Sequence, residues 1–348
     1  MFEAVEPKVV RYGLGAVKGV GRGACEAIVE ERRRGGPYRD LLDFCKRVDS
    51  SKLNRRVLEA LIHAGALDAL GRNRASLMLQ LPEVLRATEQ LAREREAGQV
   101  SLFGDADAPE IHIELPETDE WPLKRRLDGE RETLGHYLSG HPLDPCRNEL
   151  LSLTGCTLGD LDRVWAERRG GNGERRGYRD EVQVTVAGMV AGVRKRGETQ
   201  AFVQIEDGHG RLECAFFGDA FTDFAPLLTR DAILVIEGGL REDEFSGGFS
   251  LRVKQCWDFR QLCAEHGRGL ALTVDLREDP GLGRLERLLA EYRPGRTPLR
   301  LELITPKARG ALDLNGHSAV RADPELLGVL RALPGVSRVR LVLGRPGS

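Results

Sequence analysis

Two glycines one residue apart, Gly19 and Gly21, stand between Lys18 and Arg22. Glycine accepts positive φ and close backbone approach, so a Gly-Val-Gly turn that opens a helix can aim its N–H groups at a phosphate. Val20 is expected to point inward and pin the turn. Lys18 and Arg22 add charge without reading bases, which makes the contact sequence-independent and salt-sensitive. A looser copy surrounds Ala64-Gly65-Ala66, with Arg55, Arg56, Arg72 and Arg74 nearby, but its turn has no second glycine. Gly-Val-Gly also suits an ordinary glycine-rich helix turn; the basic surroundings favour the phosphate.

A second set joins cations to aromatic rings: Arg194, Lys195 and Arg196 precede Phe202, Arg211, Phe216 and Phe217. Bases stack on such rings while the cations neutralise phosphates. Strand alternation is expected to turn Phe202 and one of Phe216 and Phe217 inward, leaving part of the set available. A third candidate, Gln99-Val100-Ser101-Leu102-Phe103, places two large apolar residues at the start of an acidic stretch with no local core to join. Such a pair asks for a partner. Burying Leu102 and Phe103 at about 1.5–3 kcal/mol each, less the cost of ordering the peptide, gives affinity on the order of micromolar.

Catalytic chemistry is harder to find. His136 and His141 are flanked by carboxylates, but their spacing does not stack them on one helix face, and Gly140 and Pro142 interrupt the helix, so a structural role is expected. Asp105-Ala106-Asp107 lies in a linker pattern and Asp160-Leu161-Asp162 in a helical one, and neither offers the converging carboxylates of two-metal phosphoryl transfer. No Ser/His/Asp or Cys/His constellation and no P-loop is present. No catalytic residue, metal ligand or cofactor site is therefore assigned. The seven cysteines form no Cys-x-x-Cys and read as reduced, buried small residues.

The elements that must hold these groups divide the 348 residues into several modules. Hydrophobic residues make up 41% and charged residues 30%, the balance of a globular protein, and no apolar run approaches a membrane span. The opening residues have no secretory pattern, so a cytoplasmic protein is expected. The net charge of −2 conceals an asymmetry. Residues 1–80 carry fifteen Lys and Arg against ten Asp and Glu, net +5, while residues 81–145 carry seven against fifteen, net −8. The first block suits phosphates; the second repels them.

The expected fold is multidomain α+β. Residues 1–80 show helical spacing broken by glycine and form a helical module around the Gly-Val-Gly turn, which fits the helix-hairpin-helix pattern with Cys25 where alanine is usual. Residues 81–180 comprise a charged helix from Pro82, the Gln99 peptide and a linker region. Between 181 and 262, β-rich runs at 182–193, 200–206, 211–217, 232–241 and 249–257, with a helical pattern at 219–228, follow the order of an OB-fold barrel. Residues 267–348 alternate as a small βαββαβ domain.

Three blocks, Tyr12-Gly13-Leu14-Gly15-Ala16-Val17-Lys18-Gly19-Val20-Gly21, Lys52-Leu53-Asn54-Arg55-Arg56-Val57-Leu58-Glu59 and Glu130-Arg131-Glu132-Thr133-Leu134-Gly135-His136-Tyr137-Leu138-Ser139-Gly140-His141-Pro142, together resemble the carboxy-terminal part of the bacterial DNA polymerase III alpha subunit family. The resemblance covers essentially the whole chain, including the order of its modules. It implies duplex DNA binding by Lys18, Gly19, Val20, Gly21, Arg22, Arg55 and Arg56. It implies sliding-clamp (beta) docking by Gln99, Leu102 and Phe103, and single-strand binding by Arg194, Lys195, Arg196, Phe202, Arg211 and Phe217. It further implies that the terminal domain binds the clamp-loader tau subunit, though no motif matches that contact. The family's PHP domain and its Mg2+-binding palm are not in this sequence, which implies that Met1 begins a fragment or split product that incorporates no nucleotide by itself. Two other readings are an error-prone paralogue of the subunit, against which the orderly pattern after Gly267 argues, and a free-standing nucleic-acid-binding protein that uses no clamp.

Overall fold

The computed structural model describes residues 3–6, 9–96, 116–170, 181–243, 247–277, 282–314 and 316–344. It separates into two compact units, Met1–Gly140 and His141–Ser348.

In the first unit Glu3–Glu6 (β1) pairs antiparallel with Val9–Arg11 (β2), a hairpin with no alternating apolar pattern to announce it. Three helices follow: Arg22–Gly35 (α1), Leu41–Arg47 (α2) and Arg55–His63 (α3). The side chains of Asp40 and Asn54 cap α2 and α3 by accepting from the amides of Asp43 and Val57. Helix α3 ends at Gly65, φ +73°, where the Ala66 amide donates back to the Leu61 carbonyl. Arg74–Glu96 (α4) starts eight residues before the proline expected to open it, because the Asn73 side chain accepts from the Ser76 amide and sets the helix going there. Leu77, Leu81 and Val84 are buried, and their packing carries the helix past Pro82. Leu123–Leu134 (α5) closes the core, which includes Val17, Val20, Ile28, Phe44, Leu61 and Leu77.

The second unit opens with Arg147–Thr154 (α6) and Leu161–Gly170 (α7). Val182–Lys195 (β3), Gln200–Glu206 (β4) and Arg211–Phe217 (β5) form a meander, followed by Asp219–Phe224 (α8), Ile233–Asp243 (β6) and Gly248–Asp258 (β7). The strands close into a barrel in the order β3-β4-β5-β7-β6, sealed by a parallel pairing of β5 with β7. This is the OB fold, with its helix between the third and fourth strands. Ala201, Val203 and Ile205 of β4 and Leu212, Cys214 and Phe216 of β5 fill its interior.

Phe259–His266 (α9) leads into Gly267–Asp275 (β8), Leu282–Glu291 (α10), Leu299–Ile304 (β9), Arg309–Leu314 (β10), Pro324–Ala332 (α11) and Val336–Leu343 (β11). The sheet order is β10-β9-β8-β11, with β8 and β9 parallel neighbours, so the βαββαβ chain contains an unsplit βαβ crossover. Among the described residues no helix is long and apolar enough to cross a membrane.

Candidate nucleic-acid interfaces

The hairpin turn is built by backbone demand. Val17 and Val20 are buried and hold Lys18 and Gly19 out at the surface. Gly19 has φ +91°, a conformation an L side chain rarely adopts. Of the two glycines Gly19 takes the positive φ and Gly21 does not. It is extended, φ −74°, and is the N-cap of α1, with open space where a Cβ would stand. No side chain caps α1 and no acid lies in its first turn, so that end of the helix keeps its electropositive character. The first and third motif blocks converge here. The Lys18 amide donates to the Thr133 carbonyl at 2.8 Å, the Tyr12 hydroxyl donates to the Leu134 carbonyl, and Tyr12 packs on His136 with ring centroids 5.0 Å apart.

The cations differ in availability. Arg22 pairs with Glu26 at 2.6 Å and Arg55 with Glu59 at 2.8 Å, both i,i+4 pairs on exposed helix faces, whereas Lys18 and Arg56 are exposed. Arg72 pairs with Glu117. Arg74 corrects the reading of the second, looser turn as a basic surface. It is 5% exposed and bonded to Asp68 and to Glu130, which is itself fully buried. Gly65 serves this interior, since a Cβ there would run into the Arg74 guanidinium.

Glu130, which the sequence marked only as part of a motif, organises the third block. Its carboxylate accepts from Arg74, from the Ser139 hydroxyl and from the amides of Leu138 and Ser139 at 2.6 and 2.9 Å. His63, stacked on Trp121 at 5.1 Å between centroids, has its Nδ1 buried without a hydrogen-bond partner, and burial lowers its pKa. His136 and His141 take separate structural places. His136 packs on Tyr12 with the rings tilted by 57°, and His141 Nδ1 accepts from the Leu143 amide at 3.2 Å. Asp160 is occupied in a capping box with Thr157. Burial pushes the thiols of Cys45, Cys146 and Cys256 up to about 12, so they are unreactive near neutral pH.

On the barrel the register corrects the expectation for Phe202. Ala201, Val203 and Ile205 take the inward positions of β4, so Phe202 lies on the outer face. Phe216 points inward and is fully buried, while Phe217 joins Phe202 outside, ring centroids 5.9 Å apart and edge to face. Arg194 lies across the register from Phe202, its guanidinium 5.2 Å from the ring centroid, and bonds Glu213 at 3.2 Å. Arg211 bonds Glu206 at 3.0 Å, and Lys195 and Arg196 are exposed at the tip between β3 and β4. On β7, Arg252 and Lys254 are exposed cations that the sequence pattern did not single out. Gln99, Leu102 and Phe103 lie outside the described residues.

Residues 2–77 match the family model described as a helix-hairpin-helix motif, and residues 184–258 match that of an OB-fold nucleic acid binding domain. Hairpin and barrel together define a multidomain chain of DNA-binding modules. More particularly, the chain is a relative of the bacterial DNA polymerase III alpha subunits. It is 56% identical over 349 residues to the DNA polymerase III subunit alpha of Xylella fastidiosa (strain Temecula1 / ATCC 700964), 38% identical over 348 residues to that of Escherichia coli (strain K12), and 36% identical over 348 residues to that of Vibrio cholerae (serotype O1, strain ATCC 39315 / El Tor Inaba N16961). Each match covers 98% of this chain and 29% of the relative, so the chain spans less than a third of their length. Among solved structures, asparaginyl-tRNA synthetase from Pyrococcus horikoshii matches 23% of this chain and 20% of its own at 25% identity, with a TM-score of 0.21.

Proposed function

We propose that this chain is the carboxy-terminal, DNA- and clamp-binding part of a replicative DNA polymerase III alpha subunit, acting in the cytoplasm within the polymerase holoenzyme. The observation that carries the reading is the relation to those subunits along 98% of the chain. In this reading Lys18 to Arg22, with Arg55 and Arg56, hold duplex DNA through backbone amides and charge. The outer face of the barrel holds single-stranded template through Phe202 and Phe217, with Arg194, Lys195, Arg196 and Arg211 around them. Gln99, Leu102 and Phe103 tether the chain to the sliding clamp, and the terminal domain binds the clamp-loader tau subunit. A weak tether beside a DNA site gains from effective concentration, which is how such a chain would confer processivity.

Fluorescence anisotropy of the labelled chain titrated with purified sliding clamp is expected to show affinity on the order of micromolar. A Gln99→Ala, Leu102→Ala, Phe103→Ala variant is expected to lose it. A parent chain that binds DNA but not the clamp would remove the tether from this reading and favour the free-standing DNA-binding protein. The chain by itself carries no catalytic residue or cofactor in this reading, the Mg2+ chemistry belonging to a palm outside it. Primer extension with nucleotides and Mg2+ is therefore expected to stay at background, and incorporation above it would overturn that part.

A further inference from the structure

We infer that Arg252 and Lys254 of β7 are phosphate contacts for the single strand held by the barrel, whose path therefore runs from β4 across β5 onto β7. The inference rests on the single-strand reading of the barrel proposed above. Its starting point is a charge balance. On β3, β4 and β5 the outward cations Arg194 and Arg211 are each committed to a glutamate, Glu213 at 3.2 Å and Glu206 at 3.0 Å. Two cations facing two carboxylates leave little net attraction for a phosphodiester backbone. The face thus has stacking surface, the Phe202 and Phe217 pair, but beyond the exposed Lys195 and Arg196 at the β3–β4 tip its own strands supply little free positive charge.

The parallel closure of the barrel supplies it from elsewhere in the sequence. Phe202 is in register with Ala215, and Ala215 with Arg252, so the three lie in one row across β4, β5 and β7. Leu251 and Val253 are buried in the barrel, which turns Arg252 to the same outer side as the phenylalanines, and Lys254, at a bulge against β6, is exposed two residues on. Both are exposed, and among the described residues neither has an ion-pair partner. The row from Phe202 to Arg252 spans two strand spacings, about 10 Å, well within reach of one long side chain and one nucleotide. An aromatic pair with free cations to one side matches a base with its phosphate. An acidic peptide has no aromatic base to stack on the rings and would meet Glu206 and Glu213.

The test is anisotropy of a labelled oligothymidylate of about 12 nucleotides against the full chain across a salt series. Losing two phosphate contacts lowers the magnitude of the log–log salt slope by about 1.4 and weakens binding on the order of tenfold, the result expected for Arg252→Gln with Lys254→Gln. The charge-preserving exchange Arg252→Lys with Lys254→Arg is expected to keep the parent slope, which separates charge from folding. Phe202→Ala with Phe217→Ala is expected to weaken binding with the slope unchanged. If the phenylalanine variant binds as the parent does, the single-strand reading of the barrel fails. If it loses binding while the Arg252 and Lys254 variant keeps parental affinity and slope, the reading stands and this inference is overturned. Polyglutamate binding that is lost in the same variant would overturn the nucleic-acid assignment in favour of an acidic partner.

Discussion

Glu130→Ala is expected to destabilise the first unit by about 3–5 kcal/mol, because it takes from Arg74 its buried carboxylate and leaves the donors of Leu138 and Ser139 without an acceptor. The glutamate is 0% exposed and Arg74 5% exposed, so neither is rescued by water. Asp68, half exposed, would remain on Arg74, but the amides of Leu138 and Ser139 and the Ser139 hydroxyl would lose their acceptor together. Urea unfolding followed by Trp121 fluorescence, with Trp165 and Trp257 replaced by phenylalanine, measures the loss. A cost under about 1 kcal/mol would mean that water takes the place of the carboxylate and that the loop is not built on Glu130. The same residue predicts an acid limb. Burial works against its charge, but hydrogen bonds from Ser139, Leu138 and Arg74 outweigh it and hold the carboxyl below the usual range. A carboxyl with a lowered folded pKa contributes stability above its ordinary value of about 4.3 and loses it as pH falls through the folded value. His63 acts earlier. Burial lowers its folded pKa, so the unfolded chain takes the proton first and stability declines as pH drops below about 6.5. Unfolding measured against pH should therefore show two stages, and Glu130→Ala should shrink the lower one, to which Asp43 also contributes.

In the second unit Arg331→Met is expected to cost a similar amount, about 3–5 kcal/mol, by leaving Glu149 as an uncompensated charge. Glu149 on α6 is 3% exposed, and its Oε1 accepts from Arg331 of α11 at 2.7 Å and from the Leu341 amide of β11 at 3.4 Å. Arg331 also donates to the Val339 carbonyl, so one guanidinium ties α6, α11 and β11 together. Hydrogen exchange at the Leu341 amide should accelerate together with a lower unfolding midpoint. Adding Glu149→Gln to Arg331→Met should restore part of the loss, because a neutral amide needs no counter-charge. A double variant no better than the single one would show that packing, not charge, holds α6 there.

The barrel was legible because each strand carries its alternation in a few consecutive residues, and the order of three strands, a helix and two strands is itself local. The phase of β4 also settles Phe202. Gln204 and Glu206 share its parity and mark the outer face, while Ala201, Val203 and Ile205 mark the inner one, so phase and not ring size decides where the aromatic points. Gly19 and Gly21 are chemically identical, and only the fold decides which takes positive φ. Arg74 and Glu130 are 56 residues apart, so the burial of that pair has no trace in any local window. Arg252 was missed for a related reason: β7 pairs with β6, which precedes it, but also lies beside β5, and a parallel neighbour cannot be inferred from spacing. Pro82 reads as a helix opening, yet tertiary burial of its neighbours overrides it.

The hydrogen bond from the Lys18 amide to the Thr133 carbonyl also has a dimension in time. A nascent chain elongating at about 5–20 residues per second makes Val17 and Val20 on the order of ten seconds before the helix that completes their core. Throughout that interval the apolar sides of α1, α3 and α4 lack α5 as a lid, a state open to aggregation and to capture by chaperones. The turn is thus made well before its support, and the chain must extend past Ser139 before every group holding that turn has been synthesised.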